Sequence, residues 1–166
     1  MRKLYLMLIP AIWICSGCTK TVSSEEDATK KKADEFKASI TTHRYKPVAF
    51  YSDKPIDYIT DDNEVKSETE LWGYVKDYIK DDVNQFNDNG SVTIFQNAVK
   101  MPGNDAPSIT FDYQVGAAGT DVYFKFVDYN YVVTTYKLEE FNDAYFTVYL
   151  AGPAGSKLYS KFARVE

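Results

Sequence analysis

Alternation of hydrophobic and polar side chains dominates the chain after residue 82. Every second residue is apolar or aromatic in segment after segment, and a period of two is typical of a strand with one buried face. Turn-forming residues separate the segments, most clearly at Asn89-Gly90, which is a strong signal for a β-hairpin. With a first strand before them, the pattern predicts eight strands: 44–51, 83–87, 91–97, 108–115, 121–128, 131–138, 144–151 and 157–165.

The connections between these strands indicate the fold. They are short, and short connections force neighbouring strands to run antiparallel. Eight antiparallel strands can close into a barrel, which leaves no exposed sheet edge. We therefore predict a mainly β chain that forms an antiparallel up-and-down β-barrel over residues 43–166. A sandwich of two β-sheets is the alternative.

One short helix is predicted after the first strand. Ser67 and Glu70 have the spacing of a capping box, in which a hydroxyl and a carboxylate satisfy two backbone amides at a helix start. Leu71, Val75 and Tyr78 follow at helical spacing on one face. The pattern therefore predicts a helix over residues 67–80.

The first 17 residues have the layout of a secretory signal peptide. Arg2 and Lys3 give a positive start, residues 4–14 form an apolar run, and Ser16 and Gly17 are small. As a helix the run would cover about 16 Å at roughly 1.5 Å per residue. A bilayer core is about 30 Å thick, so the run is too short to span it.

Residues 18–42 are predicted to form a flexible, disordered tether. The segment is polar, with acids at Glu25 to Asp27 and lysines at Lys30 to Lys32. Phe36 and Ile40 are spaced to share one face, so there is room for a short helix near the end of the tether.

Composition and charge exclude several functions. The formal charge is −5, which argues against a nucleic-acid partner because such binding needs a basic surface. Two cysteines cannot build a disulfide framework or a cysteine-type zinc site. If Gly90 were the sixth residue of a calcium-binding loop, Gln85 and Gln96 would occupy positions that require acidic ligands. We therefore predict neither a metal nor a cofactor.

The sequence also shows no pattern for catalysis. His43 is the only histidine, and it lies where the tether meets the first strand, so we interpret it as a solvated linker residue. Paired acids occur at 61–62, 81–82 and 139–140, but adjacent residues on a strand point to opposite faces. We therefore predict that the protein is not an enzyme.

Aromatic side chains follow the inward face of the predicted barrel. They either fill a packed core or line a cavity for one small ligand, which an eight-stranded barrel can just hold. The candidate ligand-binding residues are Phe111, Tyr113, Phe124, Phe126, Tyr136 and Phe146.

Two parts of the chain resemble known families. Cys15-Ser16-Gly17-Cys18 is similar to the bacterial lipobox. That resemblance implies cleavage before Cys18, a diacylglyceryl group on its thiol and an acylated amine. Residues 80–91, an Asp-Asp, aromatic and turn-glycine segment, and residues 131–148, two strands around a Leu-acidic turn, resemble lipocalin-like lipoproteins of bacteria. The resemblance implies an up-and-down barrel with a binding role and supplies no catalytic residue.

Two functions therefore compete. The first is a lipoprotein of the bacterial cell envelope, anchored most simply in the outer membrane through Cys18, whose barrel binds a small apolar or amphipathic ligand. The second is an interaction protein with a filled core, which would bind a protein or glycan partner through exposed tyrosines. The tyrosines predicted to face outward are Tyr123, Tyr145, Tyr149 and Tyr159.

Overall fold

The computed structural model describes residues 24–59, 62–127 and 131–165. The predicted signal peptide and Cys18 lie outside the described residues. Two helices are α1, Ser24–Thr41, and α2, Asp77–Asp81. The strands are β1 Arg44–Ile59, β2 Val65–Glu70, β3 Val83–Phe86, β4 Ser91–Phe95, β5 Ser108–Ala118, β6 Asp121–Val127, β7 Val133–Phe141, β8 Tyr145–Ala151 and β9 Lys157–Val165.

The strands form one antiparallel sheet that closes into a ring. Strands β3 to β9 pair in chain order, as expected for short connections. The first half of β1 closes the ring, because it pairs with β9 from Arg44 to Ser52 and with β3 at Arg44 and Tyr45. The predicted mainly β, up-and-down antiparallel fold is confirmed, and the β1–β9 pairing favours a closed ring over a sandwich of two sheets.

Strand β2 was missed by the sequence prediction. It pairs only with β1, between Tyr51 and Ile59, and β1 continues to Ile59 instead of ending at residue 51. Five of the six residues of β2 are exposed, so neither of its faces is a buried one. Without a buried face there is no alternation of apolar and polar positions to detect.

The predicted helix over residues 67–80 is wrong in most of its length. Ser67 and Glu70 do not cap a helix, because they lie in β2 opposite Asp57 and Tyr51 of β1. Strand pairing satisfies their backbone groups instead. A single 3₁₀ turn and the short helix α2 follow, over residues 72–74 and 77–81.

Helix α1 occupies much of the segment predicted as a tether, so that prediction is wrong for residues 24–41. Four side chains spaced four, three and four residues apart are buried on one face: Thr29, Ala33, Phe36 and Ile40. The ring of Phe36 is fully buried, with its centroid 5.4 Å from that of Phe146 on β8 and 6.2 Å from that of Phe124 on β6. Burial of this stripe, more than helix propensity, stabilises such a helix.

The core lies inside the ring and follows the predicted faces of the strands. Phe111 and Tyr113 of β5 are buried, whereas Thr110 and Asp112, which alternate with them, are exposed. Rings of Phe86, Phe124 and Phe146 meet edge to face within this core. Edge-to-face contact is a favoured geometry for aromatic pairs, and it fixes the rings relative to one another.

Candidate functional site

The wall of the ring has a gap in its strand pairing beside β1. Strand β3 pairs with β1 only at Arg44 and Tyr45, and β2 begins to pair at Tyr51. Among the described strands, none pairs with residues 46–50 on that edge. Residues 71–82, here called the crossing segment, lie there instead. The backbone N–H of Leu71 donates a hydrogen bond to the carbonyl oxygen of Phe50 over 2.9 Å.

An apolar cavity of about 270 Å³ lies inside the ring at this place. Its volume is just below the range of about 300 to 1,000 Å³ that is usual for ligand pockets, so only a small molecule would fit. Trp72, Val75 and Ile79 line it from the crossing segment, and all three are partly exposed. The phenyl and phenol rings in its wall are those of Phe50, Phe86, Phe124, Phe126, Tyr136 and Phe162.

Few polar groups face this cavity. Asp82 and Asn84 line it and are only 1% and 5% exposed. Asn84 shares the inward face of β3 with Phe86, because a strand directs every second side chain to the same side. Asp82 lies directly before β3, and its backbone is already extended. The side-chain nitrogen of Asn84 donates to the carbonyl oxygen of Tyr45 over 3.4 Å. Asp82 and Asn84 are therefore buried polar residues beside a wall made mainly of aromatic and aliphatic side chains.

The six candidate ligand-binding residues separate into two groups. Phe124, Phe126 and Tyr136 line the cavity. The other three belong to the packed part of the molecule and do not line it: Phe111, Tyr113 and Phe146.

The packed group has contacts of its own. Phe146 stacks on Phe162, with ring centroids 4.7 Å apart. The hydroxyl of Tyr113 donates to the carbonyl oxygen of Asn87 over 2.8 Å. Burial raises the pKa of Tyr113 to about 12, because removing the phenol from water disfavours its charged form. These side chains consolidate the barrel behind the cavity.

Sequence reasoning missed the residues that bound the cavity between β1 and β3. Trp72, Val75, Ile79 and Asp82 all come from the segment that was interpreted as a helix and its end. Val75 and Ile79 do fall on the apolar stripe of the predicted helix. Nothing in that spacing indicates that the segment crosses a gap in the sheet.

The predicted outer tyrosines form a row across the strands. Tyr149 of β8 lies opposite Tyr159 of β9, which lies opposite Tyr51 of β1. The ring of Tyr159 is 5.6 Å from that of Tyr149 and 5.0 Å from that of Tyr51, measured between centroids. Lys157 places its ammonium group 4.2 Å from the Tyr149 centroid. All these tyrosines are partly buried, so cation–π and stacking contacts within the sheet already use part of their surface.

The other two predicted tyrosines are on β6 and β8. Tyr123 of β6 belongs to the same register, because it faces Lys137 of β7, which in turn faces Tyr149. Tyr145 lies under Lys161, whose ammonium group is 3.6 Å from the ring centroid. Tyr149 and Tyr159 are therefore in ring contact, and Tyr145 and Tyr149 are engaged with neighbouring lysines.

The paired acids do not converge within the described residues. Asp81 accepts a hydrogen bond from the backbone N–H of Val99 at 3.0 Å, while Asp82 faces the cavity. Glu139 contacts Lys157, and Glu140 accepts a hydrogen bond from the hydroxyl of Thr147. Among the described residues, no three histidine, cysteine or acidic side chains are grouped so that they could hold a metal ion.

Comparison with known proteins leaves the function to be argued from the chain itself. No family model matches it, and no curated protein or solved structure is significantly similar to it. No described helix has the length and apolar character needed to cross a membrane.

Proposed function

We propose that this protein is a membrane-anchored lipoprotein whose barrel binds a small apolar or amphipathic molecule. The observation that carries the proposal is the cavity of about 270 Å³, whose wall combines aromatic rings with a few polar groups. That combination is typical of small-molecule sites, in which apolar walls supply affinity and polar groups orient the ligand. The use of the barrel would be lipocalin-like, in agreement with the resemblance of residues 80–91 and 131–148.

The position of the cavity also supports binding. The crossing segment, residues 71–82, bounds it with side chains that are partly exposed, so a ligand has a route to the interior beside β1. On the other side of the core, Phe124 lines the cavity and also contacts Phe36 of α1. Helix α1 therefore supports the wall of the cavity without entering it.

The anchor is part of the same proposal. The lipobox-like sequence before Cys18 would attach the chain to the bacterial cell envelope, in the outer membrane, by acyl chains on that residue. Two or more acyl chains hold a protein stably, since each buried methylene contributes about 0.8 kcal/mol.

A cavity-filling substitution tests the binding function. Ala49 lines the cavity, so Ala49→Phe places a ring in the space that a ligand would occupy. We expect the affinity for the neutral fluorescent probe N-phenyl-1-naphthylamine to fall about tenfold. Loss of roughly two methylenes of burial, at about 0.8 kcal/mol each, corresponds to that factor. The measurement is the probe's fluorescence, together with quenching of Trp72, which is the only tryptophan once cleavage before Cys18 has removed Trp13.

The matched control is Ala151→Phe, which adds the same ring at an exposed position on β8. It should bind the probe as the parent protein does, and circular dichroism should show that both variants fold. Unchanged probe affinity in a folded Ala49→Phe protein would contradict the proposal.

A further inference from the structure

The end of β1 and most of β2 form a two-stranded ribbon that extends beyond the ring. Strand β9 pairs with β1 only as far as Ser52, whereas most of β2 pairs with β1 past that point, from Ile56 to Ile59. At the end of the ribbon, Ile59 and its partner Val65 are both 71% exposed. A two-stranded hairpin by itself is marginally stable in water, and a third strand stabilises it. The ribbon would therefore gain stability from pairing with a further strand.

The outer edge of β2 is open to such a strand. Among the described strands, β2 pairs with β1 alone, so its other edge has no strand partner. Five of its six side chains are exposed. An open edge can accept an extended segment, which adds backbone hydrogen bonds to the sheet.

We propose that the segment is β2 of a second copy of this chain, paired antiparallel about a twofold axis at Ser67. Opposed residues in an antiparallel pair either exchange two backbone hydrogen bonds or exchange none. Because the backbone groups of a strand point to its two edges alternately, residues that face each other in a self-pair are an even number of positions apart. The axis therefore passes beside one residue of β2.

Length and charge select the position of the axis. Only two axes pair five residues of β2, those at Ser67 and at Glu68. With the axis at Glu68, the carboxylates of that residue would face each other, and like charges directly opposite destabilise a sheet. With the axis at Ser67, carboxylates meet only where Glu70 faces Glu64, which lies before the start of β2.

The pairs in this register are complementary. Lys66 lies opposite Glu68 of the second copy, Val65 lies opposite its Thr69, and each pair occurs twice. Opposite charges and β-branched side chains are favourable cross-strand neighbours. Glu68 already accepts a hydrogen bond from the hydroxyl of Tyr74 over 3.2 Å. A carboxylate accepts several hydrogen bonds, so this contact leaves room for the lysine.

The strength of the pairing follows from its size. Five residue pairs make a small interface, so we expect weak association in dilute solution. Anchorage of both copies in one membrane, as proposed above, would raise their effective concentration. None of the residues of β2 lines the cavity, so the pairing can be tested separately from ligand binding.

Disulfide formation tests the pairing in membranes of cells that express the full chain. Ser67→Cys places the two thiols opposite each other, within the roughly 7 Å between Cα atoms that a disulfide tolerates. Thr69→Cys is the matched control, because this position is exposed on the same face of β2 and its two copies would lie about 13 Å apart along the strands. After mild oxidation we expect a linked dimer from Ser67→Cys on a non-reducing gel and almost none from Thr69→Cys. The parent chain gives the background from its own cysteines.

Charge exchange tests the register. Lys66→Glu brings two carboxylates together and Glu68→Lys brings two ammonium groups together, so each should weaken dimerisation about tenfold. The double variant restores opposite charges and should dimerise as the parent does. Lys32→Glu, at an exposed position on α1, makes the same change of net charge and should have no effect. Sedimentation equilibrium of the purified full chain in detergent micelles measures the dimerisation constants.

Three outcomes would overturn the proposal. Equal cross-linking of Ser67→Cys and Thr69→Cys would show that residue 67 is not at a twofold axis. A double charge variant that dimerises as weakly as the single ones would exclude the pairing of Lys66 with Glu68. If Ser67→Cys becomes linked mainly to a different protein, the edge of β2 accepts that partner and not a second copy.

Discussion

The turn between β3 and β4 shows how one residue fixes a local conformation. Gly90 has a φ of 83°, which lies in the left-handed region that disfavours side chains. Its N–H donates to the carbonyl oxygen of Asn87, and its own carbonyl oxygen accepts from Tyr113 on β5. The glycine therefore joins the hairpin to the next strand as well as closing it.

Gly90→Ala should destabilise the protein by about 1–3 kcal/mol, because a side chain is strained in this conformation. Chemical denaturation would measure the loss. Gly73→Ala is the control: its φ is not positive and an added Cβ would meet no atom within 4 Å, so its stability should be equal or slightly higher. Equal stability of Gly90→Ala and the parent would contradict this account of the turn.

Because Tyr113 is buried, we expect the free energy of unfolding to fall at alkaline pH. Its pKa is raised by burial to about 12, above the ordinary value of 10.0. The unfolded chain therefore loses this proton at lower pH than the folded protein does. The contribution of Tyr113 is complete below about pH 10 and is lost as the pH rises toward about 12. Tyr113→Phe should lessen the decline in unfolding free energy, measured with urea across that range.

Part of the decline in unfolding free energy with pH should remain in Tyr113→Phe, because other phenols contribute to it. Burial also raises the pKa values of Tyr45 and Tyr51, so these phenols contribute to the same decline. Tyr131→Phe, which removes a hydroxyl from a side chain that is 79% exposed, is the control and should follow the parent protein. An unchanged alkaline slope in Tyr113→Phe would show that this phenol is not held neutral by the fold.

At the scale of the elements, strands could be predicted because alternation has a physical cause. Strands β3 to β9 each have one face in the core, and their observed bounds lie within three residues of the predicted ones. The extension of β1 and all of β2 have no such face. Their pairing depends on backbone hydrogen bonds, which leave no trace in side-chain pattern.

Helix α1 shows the converse limit. Its buried stripe contains a threonine, an alanine and only two large apolar residues. Lysines and acids dominate the composition of the rest of the helix. Only Phe36 and Ile40 indicated an apolar face, and tertiary packing determined the outcome. A cavity was one of two alternatives for the barrel interior, and three of the six candidate residues line the one that is present. The side chains of the crossing segment line the cavity because β1 and β3 leave a gap in their pairing, and no local sequence pattern indicates that gap.

Phe36→Ala tests whether α1 is part of the folded domain. A buried phenylalanine replaced by alanine costs about 3–5 kcal/mol through lost burial and the cavity left behind. We expect a loss of that size in chemical denaturation. Lys32→Ala, on the exposed side of the same helix, should change stability very little. If residues 24–41 were a tether, both substitutions would be neutral.

At the scale of the whole molecule, attachment to the membrane is the property to test. We expect cells expressing the protein to incorporate radiolabelled palmitate into it, and Cys18→Ser to abolish the label and release the protein from the membrane fraction. Cys15→Leu is the control, because leucine is the commoner residue at the first position of the lipobox. Equal fractionation of Cys18→Ser and the parent would disprove the anchor.

Helix α1 changes how far an anchored barrel could travel. A tether of 25 residues, from 18 to 42, would reach about 85 Å when fully extended, whereas the six steps from Cys18 to Ser24 reach about 20 Å. This segment is therefore shorter than the thickness of the hydrocarbon layer, which is about 30 Å. An anchored barrel held that closely would bind its ligand at the surface of the bilayer, and it would release the ligand only to neighbours in the same leaflet.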